Sequence, residues 1–217
     1  MDRGWPWFQS RPVFVYNGAM SVPNAATLSG EFVNLRPLSL ADAEPTLRWR
    51  QGDRAVNLNQ GAGTLESQKA WIAARPDGEY NFIIELLDGR AIGMLSLVAV
   101  DPVNRRAEPG RFLIGEEAAA RGVPAAVEAM KLLYEFAFDR LKLVRLHGTI
   151  ASDNKAMYKW QRYLGMQEEG RLREHYFING HFQDAICMGL LEAEFRQISL
   201  PRMRALIAAG RSRPTQL

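Results

Sequence analysis

Cysteine is nearly absent: Cys187 is the single one in 217 residues. A lone cysteine makes no internal disulfide, so a packed core must hold the chain, and a reducing, cytoplasmic setting is expected. Its place in the apolar run 185–191 reads as buried filler, not as a nucleophile. Long apolar runs are missing too, which excludes a bilayer-spanning helix. The N-terminus carries Trp5, Trp7 and Phe8, but also Asp2 and two early prolines, unlike a signal peptide; Met20 is a second candidate start. Charge of one sign does not dominate. Lys+Arg is 27 and Asp+Glu 24, a net +3 that suits small anionic ligands but is no nucleic-acid footprint. His175 and His181 make no metal-ligand spacing with each other or with Cys187, so no metal is expected.

What is there is ample apolar content, 47%, enough for a sizeable core. The length suggests one domain, 30–192, with an N-terminal extension over 1–29 and a basic tail over 193–217. The extension is expected to be poorly ordered or packed on the domain. From Phe195 the tail has five arginines, no acid and a short helix over 201–209, a candidate dimer contact or lid. Within the domain, 31–37 reads as a strand. Ser39 or Asp42 then caps a helix ending near Gly52, and Thr64-x-x-Ser67 opens another, closed before Pro76. Strands over 80–87 and 90–100 are joined by Asp88-Gly89. A strand over 105–115 is interrupted by Pro109-Gly110, where a bulge is expected because proline cannot donate to a ladder. After a loop over 116–121, an amphipathic helix runs from 124 to about 141. Val127, Met130, Tyr134 and Phe138 lie on its stripe, and Glu128 largely outside it. A strand over 143–150, a helix capped by Asp153 or Asn154 and stopped at Gly165, and strands over 167–178 and 184–191 complete a mixed α/β sheet.

The segment Arg121-Gly122-Val123-Pro124-Ala125-Ala126 joins a strand to a helix. Such a junction presents unpaired backbone N–H groups at the positive end of the helix dipole, a ready seat for a pyrophosphate. Gly122 permits the tight turn and Arg121 can add a charge-assisted contact. The segment resembles the donor loop of the GNAT acetyltransferases, which reads Gln/Arg-x-x-Gly-x-Gly/Ala, with Pro124 in place of the central glycine. Proline removes one donor but suits the first helical position. Downstream, the strand 143–150, Asn154 and the helix ending Leu164-Gly165-Met166 look like the next block of the same family.

The resemblance covers roughly 31–192 and implies a fold and an activity. The expected fold is the GNAT one, a mostly antiparallel sheet splayed between its fourth and fifth strands, with flanking helices. Pantetheine of acetyl-CoA would insert there, pairing with backbone around Phe112, Leu113 and Ile114. Arg121, Gly122, Val123, Ala125, Ala126 and Asn154 would complete the donor site. The acetyl group would pass directly to an amine. Glu108 matches the family's acidic position on the fourth strand and is the expected general base; alternatively it is a solvent-facing carboxylate beside Arg105 and Arg106. Relatives place a tyrosine where this chain has Gln161, which has no useful proton to give. Tyr158, one turn earlier, is the substitute acid, unless it simply packs and solvent protonates the thiolate. His147 reads as structural.

For the acceptor, Trp49-Arg50-Gln51 and the stretch 169–184 resemble amino-sugar-nucleotide acetyltransferases of pseudaminic-acid biosynthesis. The second stretch is shared with ribosomal-protein N-terminal acetyltransferases. A nucleotide-linked 4-amino sugar needs stacking surfaces and cations, which Trp49, Arg50, Trp71, Arg173 and Tyr176 could supply. Core packing competes for both tryptophans. An N-terminal protein acetyltransferase and a non-catalytic acyl-CoA-binding module remain the alternatives.

Overall fold

A computed structural model of the chain describes residues 26–58, 61–76 and 78–211. Its centre is an eight-stranded sheet. The strands are β1 (Leu28–Ser29), β2 (Val33–Pro37), β3 (Tyr80–Leu86), β4 (Ala91–Asp101), β5 (Arg106–Ile114), β6 (Arg145–Ala151), β7 (Gln167–Ile178) and β8 (His181–Leu191). They lie in the order β1-β2-β3-β4-β5-β6-β8-β7. Every neighbouring pair is antiparallel except β5 and β6, which run parallel. Their pairing stops after Arg106↔Arg145 and Ala107↔Leu146, and beyond it the two strands diverge. This is the expected splay. The parting strands are the fifth and sixth only because β1 adds one at the front.

Alternation along β3 divides the core in two. Phe82 and Ile84 face one side, with α4 (Ala125–Glu135) and the larger cluster; Ile83 faces the other, with Trp49 of α1 (Ala43–Gln51) and Ile72 of α2 (Leu65–Ala73). Buried on both faces, β3 carries the consecutive apolar residues Phe82, Ile83 and Ile84 at its centre, as a central strand should. At Thr64 the capping box forms as expected, its Oγ1 accepting from the Ser67 N–H. The expected irregularity in β5 is present: the ladder with β4 slips between Met94↔Leu113 and Ser96↔Gly110, and Arg111 takes up the extra residue at φ 53°.

Two expectations need correction, for 116–121 and for Glu128, and the structure also shows how both described ends pack. The segment 116–121 is not all loop, since α3 (Glu117–Ala120) makes one turn there. Within the 1–29 extension, Leu28 and Ser29 pack on the domain by pairing with Leu35 and Asn34; residues 1–25, Met20 included, lie outside the described residues. Glu128, placed on the polar side of its helix, is 3% exposed. Its carboxylate accepts N–H bonds from Glu31 at 2.8 Å, Phe32 at 2.7 Å and Val33 at 2.8 Å. An incoming strand end has donors without a ladder partner, and one carboxylate satisfies them. The described part of the basic tail carries the helix expected over 201–209 and packs on the sheet domain. After α5 (Lys155–Tyr163) and β8, the chain makes the single turn α6 (Glu192–Glu194), a π-helical stretch over Phe195–Ser199, and α7 (Leu200–Arg211). Phe195, Met203 and Ile207 sit in the larger core.

Candidate active site

The donor loop folds as its residues dictate. Gly122 holds φ 80°, a left-handed conformation, with open space where a side chain would project. Pro124 sits one position before the helix rather than at its first residue, and α4 begins at Ala125. The first intrahelical bond runs from the Glu128 N–H to the Pro124 carbonyl at 3.0 Å. The amides of Ala125 and Ala126 therefore precede the hydrogen-bonded turns and remain helix-end donors. Proline costs the loop one donor and leaves these. The residues present thus fit a diphosphate.

β5 carries the loop's approach. Leu113 pairs with Met94 and is buried; Phe112 and Ile114 are half-buried against the larger core. Beyond Ala107, the edge of β5 towards β6 has no ladder partner. Glu108 lies where the strands part. Its carboxylate stands over Gly148 of β6: a Cβ there would come within 3.5 Å of Oε1. Burial pushes the Glu108 carboxyl above its usual range, and the charge of Arg111 offsets part of that shift. A carboxylate raised in this way suits proton abstraction near neutral pH.

The other expected proton carrier is placed differently. The Tyr158 hydroxyl donates to Glu168 Oε2 of β7 at 2.8 Å. That bond raises its pKa, making it a poorer acid, and commits its proton to a carboxylate. Gln161 accepts instead from the buried Tyr134 hydroxyl at 3.3 Å, so it serves packing. Asn154 caps α5, its Oδ1 accepting from the Met157 N–H at 3.2 Å. Burial first, then Arg145 and Arg106, push the half-buried His147 below the usual histidine value.

On the other side of the sheet two cavities adjoin through Arg50 and Leu58. One, about 470 Å³, is lined among others by Trp71, Met94 and Arg111. The second, about 700 Å³, lies between the end of α1 and Phe177, Ile178 and Asn179 at the β7–β8 turn. Among their described lining residues Arg50, Arg111 and Asp53 carry charge. Burial and the charge of Arg111 push Arg50 down from its ordinary value. Arg111 stacks over Trp71, 5.2 Å from the ring centre. It also pairs with Glu79 at 2.8 Å and donates to Asn81 Oδ1 at 3.0 Å. Burial pushes the Glu79 carboxyl up, but Arg111 and Asn81 together hold it below its usual range.

Of the five expected acceptor residues, Arg50 and Trp71 line these cavities. Trp49 does not: it is 4% exposed, donates to Glu116 Oε1 at 2.7 Å and lies flat against Gly115, leaving no face for a ligand. Tyr176 shares a 2.5 Å hydrogen bond with Thr149 of β6, and Arg173 is exposed on the edge strand and lines neither cavity. Sequence reading missed Arg111. The Pro109-Gly110 break was its only signal, since a bulge re-aims the next side chain. Among the described residues, no group of three or more His, Cys, Asp or Glu is placed to hold a metal ion. No described helix is long and apolar enough to cross a membrane.

With the geometry in place, three comparisons bear on it. A family model described as "Acetyltransferase (GNAT) domain" matches residues 33–167. The spermidine N(1)-acetyltransferase of Escherichia coli K12 is 32% identical over 117 residues, covering 54% of this chain and 61% of that protein. YdaF of Bacillus subtilis, provisionally named a ribosomal N-acetyltransferase, is 34% identical over 110 residues, 51% of this chain and 58% of that one. The chain therefore spans about three-fifths of the length of these curated relatives. A crystal structure from T. thermophilus, provisionally identified as an acetyltransferase, superposes with a TM-score of 0.66 at 26% identity, covering 85% of this chain and 96% of that one.

Proposed function

Because this chain belongs to the acetyltransferase (GNAT) domain family, we propose that it moves an acetyl group from acetyl-CoA directly onto a primary amine. Glu108 carries the proposal, being a desolvated carboxylate at the parting of β5 and β6. Acetyl-CoA, when bound, supplies the activated thioester. The helix-end amides of Ala125 and Ala126 hold its diphosphate, with Arg121 beside them. Glu108, directly or through one water, takes the proton of the attacking amine, so that a neutral nitrogen reaches the carbonyl carbon. The carbon–sulfur bond breaks, and water returns a proton to the departing sulfur, since Tyr158 is turned to Glu168.

The acceptor we infer is a nucleotide-linked amino sugar, acetylated on its 4-amino group. The Arg50 guanidinium and the Trp71 ring with Arg111, itself shared with Glu79, along the cavities support an anionic, ring-bearing molecule. The adjoining volumes, about 470 and 700 Å³, suit a bulky acceptor. Spermidine, the substrate named for the Escherichia coli relative, is a cation and would meet the guanidiniums of Arg50 and Arg111 along these cavities, the latter paired with Glu79. A thiol-release assay with acetyl-CoA tests the reading. Rapid release is expected with a nucleotide-linked 4-amino sugar, and little with spermidine or N-terminal peptides. Preference for spermidine or peptides overturns the acceptor reading; no release with any amine overturns the transferase.

A further inference from the structure

We propose that the C-terminal helix α7 is a wall of the donor site, and that the cavity it makes with the donor loop seats the adenosine end of coenzyme A. This inference rests on the donor reading above. α7 lies beyond the matched family segment, 33–167. It runs antiparallel to α4. Phe195, just before it, stacks on Phe138 past the far end of α4, whereas Gly210 in its last turn abuts Pro124 at the near end. A Cβ at position 210 would come 2.7 Å from Pro124 Cγ. The proline that replaces the family's loop glycine is therefore fitted by a glycine on α7, and helix and loop form one surface.

That surface encloses about 310 Å³ lined by Gly122, Pro124, Trp160, Leu206, Ala209 and Gly210, among others. The space is small for a whole coenzyme and ample for a nucleoside. Its lining is almost wholly apolar, with an indole whose N–H is already taken by Met130 Sδ at 3.1 Å, which holds the ring in place. A flat, weakly polar heterocycle matches such walls; a phosphate does not. Gly122 belongs both to the cavity and to the phosphate-binding turn, so a ring seated here lies next to its own diphosphate.

The test uses calorimetry on the full chain with coenzyme A and with adenosine 3′,5′-bisphosphate, which lacks pantetheine. Ala209 is exposed, so Ala209→Phe fills the cavity without burdening the core. We expect the parent to bind both ligands. Ala209→Phe should raise both dissociation constants at least tenfold at an unchanged melting temperature, and Ala209→Ser should keep the parent affinity. Equal coenzyme A affinity in the parent and Ala209→Phe overturns this inference and leaves the donor reading standing. A parent that binds no coenzyme A overturns both.

Discussion

The proposed role of Glu108 as base rests on surroundings that make its charge costly. Desolvation raises its pKa, and Gly148 opposite has no side chain to block the carboxylate. The sign of the pH effect follows. The working form is the carboxylate, so activity should fall as pH drops through a pKa lying above the usual glutamate value. Glu108→Gln should lower turnover about 100-fold or more near neutral pH. The gap should narrow at high pH, where the amine loses its proton unaided. A pH–rate profile parallel to the parent's would remove Glu108 from the chemistry. Tyr158→Phe breaks only the bond to Glu168 and should keep most of the parent's turnover; a hundredfold loss would reinstate it as the acid. The place of Glu108 on β5 was legible because a family pattern and a strand position coincide there. For Trp49 the structure favours the core packing that the sequence left open; sequence gives a tryptophan's bulk and not its neighbours, and Gly115, against which its ring lies, is 66 positions away.

At the scale of elements, the donor turn and the strand-to-helix junctions were written locally. Gly122 before a helix, Thr64 with Ser67, and Asp88-Gly89 each fix their own geometry. Glu128 was not, because its three partners arrive from a strand end nearly a hundred residues earlier. Its apparent place on the polar stripe was correct in periodicity and wrong in surroundings. Three backbone donors left unmet in a buried site cost roughly 3 kcal/mol or more. Glu128→Ala should therefore lower the melting temperature by about 6–12 °C. Calorimetric scanning checks this, and a shift within a degree or two would mean the strand end finds other acceptors. Because Glu128 lies on α4, the same knot ties the first strands to the helix that opens the donor site.

The whole molecule shows what single segments conceal. Composition left no partner for an internal disulfide, the order of strands and helices foretold a mixed sheet, and the resemblance to the GNAT family implied its one parting pair. At the front, β1 escaped because it pairs through just two residues; at the other end the helix expected over 201–209 is α7, whose packing into the larger core the sequence did not show. Only the fold brings Gly210 against Pro124 and Arg211 to Glu31, closing the described chain's two ends around the donor loop. The acceptor cavities, too, combine α1, α2, β4, β5 and the β7–β8 turn, a set no local motif encodes.

The central physical claim is that bare amides behind Gly122 grip the diphosphate of acetyl-CoA, and titration calorimetry of acetyl-CoA into the parent and Gly122→Asp tests it directly. A substituent at φ 80° strains the turn by about 1–2 kcal/mol and points a negative charge into the open side of the loop. Parent binding with at least a tenfold weaker variant is the predicted result; equal affinity in the two proteins would contradict the account.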